Sequence, residues 1–144
     1  MQIGLDLLEQ YKLNGTVFLI TSWFKDGINF LHHYKYVEFH SHGDNLHNQG
    51  ECPMGQGGAI TCASKSRLLT DLALSREKLE NSTYFCYPFY EYNNYAINVL
   101  KEVGFTMAFA EGFRRSKHSD NRYVIPRYVI YNSTSVGSIK NYIG

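Results

Sequence analysis

The amino-acid sequence predicts an α/β fold with a parallel sheet, either open or curled into a barrel. Two observations support this prediction. Segments whose apolar residues repeat at helical spacing alternate along the chain with short β-branched and aromatic runs. The chain also has 144 residues, which suffice for one domain with a buried core, and it contains no internal repeat.

The first half of the chain contains one predicted helix and two predicted strands. Apolar side chains recur at helical spacing over residues 2–12, and the Asn14-Gly15 pair ends that helix. Residues 16–20 form an apolar run typical of a buried strand, and a second short strand covers residues 36–39. Residues 43–63 are rich in glycine, so we expect a long irregular loop of the kind that often carries function.

The alternation continues after this loop. Leucines at helical spacing predict a helix over residues 65–80, and a strand follows at residues 83–86. Either Asn93 or Asn94 caps the next helix, which Gly104 ends.

The C-terminal part is predicted to contain two more strands and a final helix. The strands cover residues 105–110 and 123–131, with a charged loop between them at residues 111–122. Pro126 places the second of these strands at an edge or a kink, because proline cannot donate a ladder hydrogen bond. The last helix runs over residues 135–142.

A histidine cluster is the strongest candidate site. Three of the six histidines, His40, His42 and His47, lie together just after the second predicted strand. Ligands of parallel α/β folds sit at the carboxyl ends of strands, and crowded imidazoles are typical of a divalent metal site. Structural or solvated loop histidines are the alternative, and spacing alone leaves both readings open.

Charge and hydropathy exclude several classes of partner. The formal net charge is +1 and the one basic cluster, residues 114–117, is short, so we expect no nucleic-acid partner. No apolar stretch is long enough for a transmembrane segment, and no signal peptide follows Met1. Aromatic residues make up 15% of the chain, which suits sugar or interface binding, although most rings are expected in strand cores. The odd number of cysteines gives no complete disulfide framework, and a Cys52–Cys62 bridge stays open.

Five segments, in order, are similar to the motifs of one enzyme family. Residues 38–47 read EFHSHGDNLH, similar to EIGSHTynLH, and residues 85–93 read FCYPFYEYN, similar to faYPFGeyn. Residues 13–20, 100–109 and 123–130 match the kATFFvi, LkeaGyktAft and y.ipRi.v segments. The chain therefore resembles the polysaccharide deacetylases of the NodB homology type, carbohydrate esterase family four. The second motif resembles the branch that acts on poly-N-acetylglucosamine and peptidoglycan.

The resemblance implies a distorted (β/α) barrel. The family's opening motif, a strand followed by Thr-Phe-Asp-Asp-Gly, supplies the catalytic base and the third metal ligand, and it has no counterpart before the first helix here. We therefore expect residues 1–144 to be a single, N-terminally truncated deacetylase domain. Its barrel would be incomplete, with the first strand missing, and the exposed sheet edge would favour a homo-oligomer.

The resemblance also implies the metal ligands and the oxyanion donor. His42 and His47 would hold a divalent metal, most often Zn²⁺, whereas His40 falls where the family has a small residue. The backbone N–H of Phe89 would stabilise the oxyanion, because Pro88 sets the turn that presents it.

Other motif positions carry weaker expectations. Tyr87 either lines the substrate pocket or is a packed core ring, and Tyr90 replaces the motif glycine, so its side chain is expected to narrow or block the site. Arg127 either orients a catalytic carboxylate or forms a structural ion pair. Glu91 and Asp120 are expected to be solvated charges rather than catalytic groups. The family's late catalytic histidine has no clear match.

The expected function is metal-dependent de-N-acetylation of an N-acetylglucosamine polysaccharide or peptidoglycan of a bacterial cell wall or exopolysaccharide. Without the base and the Asp ligand, activity is expected to be impaired, since loss of a general base alone costs about 100- to 10,000-fold in rate. The alternative is an inactive carbohydrate-binding or assembly domain on the same scaffold. By resemblance, the location is extracellular or in the cell envelope.

A different enzyme class shares part of the pattern. His42, Asp44 and His118, followed by Arg127, mimic the iron ligands and cosubstrate arginine of 2-oxoglutarate oxygenases. Those enzymes use a double-sheet jelly roll. The two helices predicted between buried strands argue against that fold.

Overall fold

The computed structural model of the chain describes residues 2–143. Within these residues, one four-stranded sheet combines with four α-helices. The strands are β1 (Gly15–Leu19), β2 (Val37–Ser41), β3 (Tyr84–Cys86) and β4 (Met107–Phe109). The helices are α1 (Gln2–Tyr11), α2 (Lys65–Lys78), α3 (Asn94–Val103) and α4 (Val136–Ile143).

The sheet is parallel throughout, in the order β1-β2-β3-β4. Helix α2 connects β2 to β3 and helix α3 connects β3 to β4, because parallel neighbours need a long crossover. The described strands do not close into a ring, and β1 forms one edge. The predicted α/β fold with a parallel sheet is confirmed, and the open sheet is compatible with an incomplete barrel.

Alternation along the strands sorts the side chains onto two faces. In β2, Val37 and Phe39 are buried, whereas Glu38 and His40 lie on the opposite face. The main core consists of buried side chains of α2, β3, α3 and their connections: Leu68, Leu72, Phe85, Tyr87, Leu100 and Phe105. A second cluster joins α1 to β1 and β2: Leu5, Leu19, Val37, Phe39 and Leu79.

The ends of α3 are set by the predicted capping residues. Asn93, rather than Asn94, is the N-cap, and its Oδ1 accepts the N–H of Ala96 at 2.9 Å. Gly104 ends the helix with φ of 95°, a left-handed conformation that costs glycine little.

The prediction of a strand over residues 123–131 is wrong. The segment is irregular, and only Ile125 forms an isolated parallel bridge, to Phe109. Pro126 has no N–H to extend the ladder, which explains why pairing stops beside it. The preceding strand is also shorter than predicted, since β4 covers only Met107–Phe109.

Residues 43–63 form the predicted long loop, with one short 3₁₀ turn at Ala59–Thr61. A disulfide joins Cys52 to Cys62, with a Cα–Cα distance of 5.8 Å. The carboxylate of Glu91 accepts the backbone N–H of Gln56 and, at 2.8 Å, that of Gly58. The loop is therefore tied both to itself and to the segment that follows β3.

Over residues 2–143, no helix combines the length and the apolar character needed to cross a membrane.

Candidate active site

The segments that follow β1, β2 and β3 meet at one rim of the sheet. His42 comes directly after β2, and Phe89 lies in a short 3₁₀ turn, Pro88–Tyr90, after β3. Their common position follows from the parallel sheet, because the carboxyl ends of parallel strands meet at one edge. His47 joins them from the long loop, with its ring 5.0 Å from that of His42 and 4.3 Å from that of Phe89.

The imidazole of His42 is neutral and held in one tautomer. Its Nδ1 donates a hydrogen bond of 2.7 Å to the backbone oxygen of Cys86, which leaves Nε2 as the acceptor. Burial lowers the pKa of His42 to about 4, and the charges of His47 and Arg127 act in the same direction. A neutral ring with its second nitrogen on a carbonyl is the usual state of a metal-binding histidine.

Two imidazole nitrogens are donors of the kind that Zn²⁺ takes, although protein zinc sites use three or four protein ligands. Within residues 2–143, no third His, Cys, Asp or Glu lies where it could join His42 and His47 in holding a metal ion. The structure therefore places the rings of His42 and His47 together, and their role as metal ligands stays a prediction.

His40 lies apart from the pair, on the face of the sheet opposite the helices. Its Nδ1 contacts the hydroxyl of Ser82 at 2.8 Å and its ring packs 4.5 Å from that of Tyr84. Burial lowers the pKa of His40, which keeps this ring neutral as well. The contacts are those of a packed structural histidine.

The turn after β3 has an unusual backbone. Phe89 and Tyr90 have φ of 56° and 62°, the left-handed region that side-chain-bearing residues rarely adopt. Tyr90 and Glu91 donate their N–H groups to the carbonyls of Tyr87 and Pro88. No such acceptor is found for the Phe89 N–H within residues 2–143. Strained backbone of this kind clusters at functional sites.

Tyr87 and Pro88 are fully buried, so they support the turn from beneath. The Tyr87 hydroxyl donates to the backbone oxygen of Tyr123 at 3.0 Å, and burial raises the pKa of this phenol. These contacts favour the packed core ring over the pocket-lining alternative for Tyr87. Tyr90, by contrast, is partly exposed at the rim.

Arg127 reaches the face of the sheet that carries His40, opposite the helices, from the irregular C-terminal segment. Its Nη2 donates to the sulfur of Cys86 at 3.0 Å, and the guanidinium lies 5.8 Å from the ring centres of Phe18, Tyr90 and Phe109. Burial raises the pKa of the Cys86 thiol, which is therefore protonated. Arg127 forms no ion pair with a carboxylate in the described range.

The loop carboxylates have structural partners. Glu91 binds two backbone N–H groups of the long loop rather than solvent alone, so the expectation of a solvated charge is wrong for this residue. Asp120 pairs with Arg114 on the surface, where this guanidinium lowers the pKa of Asp120 to about 2. Asp44 accepts from Thr21 and Lys78.

The parallel sheet with crossover helices also excludes the double-sheet jelly roll of the 2-oxoglutarate oxygenases.

One rim residue was missed in the sequence. Trp23, in a 3₁₀ turn at Thr21–Trp23 after β1, lies with its ring 6.2 Å from that of His47. It is the single tryptophan of the chain. Its position just after a buried strand is the signal in the sequence by which it could have been placed at this rim.

Comparisons with known proteins agree with the fold. A family profile described as polysaccharide deacetylase matches residues 2–108. Similar solved structures include a de-N-acetylase from Aggregatibacter actinomycetemcomitans, with 22% identity and a TM-score of 0.78 over 98% of this chain and 69% of that one. The Streptococcus pyogenes deacetylase PplD in complex with acetate has 15% identity and a TM-score of 0.80 over 99% of this chain and 64% of that one. IcaB from Ammonifex degensii has 15% identity and a TM-score of 0.74, over 98% and 66%.

The chain thus spans about two thirds of the length of these solved structures. Comparison with curated proteins gave no significant match. The structural similarity establishes the fold, and the family profile covers most of the chain. This protein belongs to the polysaccharide deacetylase family and carries its NodB-type domain.

Proposed function

We propose that this chain is a metal-dependent de-N-acetylase domain that acts on an N-acetylglucosamine polysaccharide. The observation that carries the proposal is the pairing of two imidazole rings, His42 and His47, beside the Phe89 turn. The family and the de-N-acetylase neighbours support the reaction type.

In this proposal, Nε2 of His42 and a ring nitrogen of His47 would hold a divalent metal, and Zn²⁺ accepts imidazole donors of this kind. When bound, such a metal polarises an amide carbonyl and lowers the pKa of water. The N–H of Phe89 would donate to the acetyl oxygen as this oxygen gains negative charge, because no backbone acceptor within residues 2–143 occupies this group. Pro88 sets the turn, and the side chain of Tyr90 would narrow or block the substrate site beside it.

Within residues 2–143, no carboxylate forms a metal-binding group with His42 and His47, and none is therefore assigned as the catalytic base. We therefore propose that this chain, as it stands, binds metal weakly and deacetylates slowly. Arg127, with no carboxylate partner in that range, is proposed to orient a base when one is supplied. The second candidate function, a carbohydrate-binding or assembly domain without catalysis, is favoured by the same observation.

The setting is proposed to be extracellular or in the cell envelope of a bacterium, with cell-wall peptidoglycan or an exopolysaccharide as substrate. The Cys52–Cys62 disulfide supports this location, because disulfides persist in oxidising compartments. Residues 1–144 are proposed to form a single domain, and the open edge of β1 is proposed to favour a homo-oligomer.

The metal content of the purified chain tests the proposal. In equilibrium dialysis against Zn²⁺, we expect the parent chain to hold zinc that His42→Ala and His47→Ala do not hold. His118→Ala, at an exposed position away from the pair, is the matched control and retains it. Equal zinc in all variants would contradict the site.

Acetate release from oligomers of N-acetylglucosamine separates the two candidate functions. Slow, zinc-dependent release supports the enzyme, whereas binding without release supports the carbohydrate-binding domain. Release at ordinary enzyme rates by the chain alone would refute the proposed impairment.

A further inference from the structure

We propose that Trp23 is the stacking platform of a sugar subsite next to His47. This inference rests on the proposed function, because it identifies how the polysaccharide chain is held beside the candidate metal pair. It concerns a residue outside the motifs that relate this chain to its family.

The exposure of Trp23 is the first observation. Its side chain is 71% exposed, although tryptophan is on average one of the more buried residue types. Most other exposed aromatic side chains of the chain are tyrosines, whose hydroxyl accounts for contact with water. Leaving an indole in solvent costs hydrophobic free energy, so a ligand that covers it recovers this cost.

The rigid support of Trp23 is the second observation. The N–H groups of Thr21 and Ser22 donate to the carbonyls of Gly43 and Asp44, which ties the turn to the segment that carries the histidines. Thr21 is fully buried, and its hydroxyl donates to the Asp44 carboxylate at 2.5 Å. A platform held in place before binding loses little conformational entropy when the ligand arrives.

The direction of the ring is the third observation. The indole meets the His47 ring edge-on, at 72° and 6.2 Å. A sugar ring that lies on the indole is therefore next to the His42–His47 pair. A sugar unit at the pair and one on the indole could then be neighbours in the same polysaccharide chain. A pyranose has a flat face of C–H groups that packs on an aromatic ring, and its hydroxyls seek polar partners.

Polar partners are present in the same segment. Ser22 and Lys25 line a cavity of about 510 Å³, with Phe24 and Ile28 as its apolar side. This volume falls within the usual size of small-ligand pockets, roughly 300–1,000 Å³. Its mixture of hydroxyl, ammonium and apolar groups suits a polar ligand such as a sugar unit, and Trp23, next to Ser22 in the chain, is not among the residues that line it.

The experiment uses the fact that Trp23 is the only tryptophan. Its fluorescence is recorded while the full chain is titrated with oligomers of N-acetylglucosamine, and calorimetry gives the affinity of every variant. We expect emission to change and saturate with the calorimetric affinity. Trp23→Ala should lower affinity about tenfold, and Trp23→Phe, which keeps an aromatic face, about threefold or less.

Tyr11→Ala is the matched control, because Tyr11 is 64% exposed but ends α1 at the opposite end of the strands. It should leave affinity unchanged. Parent-like affinity in Trp23→Ala, or unchanged emission at saturation, would overturn this inference while leaving the proposed function standing. If the parent chain binds no oligomer, both the inference and the proposed function fall. Circular dichroism of Trp23→Phe and Trp23→Ala confirms that both are folded.

Discussion

Removal of the Cys52–Cys62 disulfide should lower the stability of the chain by about 2.7 kcal/mol. The bridge joins residues separated by 10 positions. Closing a loop of this size in the unfolded chain removes about 9 cal/mol/K of entropy, which at 25 °C is about 2.7 kcal/mol. The unfolding equilibrium constant should therefore rise about 100-fold, since each 1.4 kcal/mol is a factor of ten.

Urea unfolding followed by circular dichroism measures this change. The Cys52→Ala/Cys62→Ala double variant is compared with the parent chain, both with and without a thiol reductant. We expect the reductant to bring the parent to the stability of the double variant and to leave that variant unchanged. Thiol titration in denaturant should find one free thiol, that of Cys86, in the untreated parent and three after reduction.

Two results would refute the reasoning. Three free thiols in the untreated, unfolded chain would show that the bridge does not form. One free thiol combined with equal stability of the parent and the double variant would show that the unfolded chain gains nothing from losing the crosslink. The second result would point to residual structure in the unfolded loop, which already restricts the chain.

The remaining predictions concern protonation, the core and a helix cap. Because the pKa of His42 is about 4 when folded and 6.5 ordinarily, the unfolded metal-free chain binds more protons between these values. Stability should therefore fall by about 3 kcal/mol from pH 6.5 to pH 4, and His42→Gln should flatten this part of a pH series of urea unfolding. Leu100→Ala, at a fully buried position, should cost about 2–5 kcal/mol, whereas Leu74→Ala, at an exposed position of α2, should change stability by about 0.5 kcal/mol or less. Equal losses in thermal unfolding would contradict the assigned core. Asn93→Ala should cost about 2 kcal/mol, since it removes the α3 cap and the 2.8 Å bond from Nδ2 to the Thr61 oxygen. Asn94→Ala, beside the cap, is the control for urea unfolding, and an equal loss there would contradict the assigned cap.

The helices were predictable because their signals are local. The spacing of leucines in α2 and the Asn93 and Gly104 caps of α3 depend on neighbours within one or two turns. The segment 123–131 failed because its β-branched and aromatic residues suit a strand, while strand formation depends on a partner ladder. Only Ile125 found such a partner here, next to a proline that cannot donate.

The residues of the candidate site could be predicted where they belong to a sequence motif. Contacts between residues that are distant in the sequence could not be predicted. The motifs singled out His42 and His47, and the structure brings these two rings together. The role of Glu91 depends on N–H groups more than thirty positions away, as the contact with Gly58 shows. No local pattern encodes such a contact. The Cys52–Cys62 pairing was open for the same reason, because three cysteines permit several pairings.

The hydrogen bond from His42 to Cys86 makes the tautomer of the His42 ring independent of the side chain at position 86. The acceptor is a main-chain oxygen at the end of β3, so every residue type at position 86 offers the same atom. Mutation can change the thiol that Arg127 contacts without releasing the proton on Nδ1. The pairing of β2 with β3 therefore fixes the tautomer of His42. The tautomer depends on the sheet rather than on the identity of any one side chain.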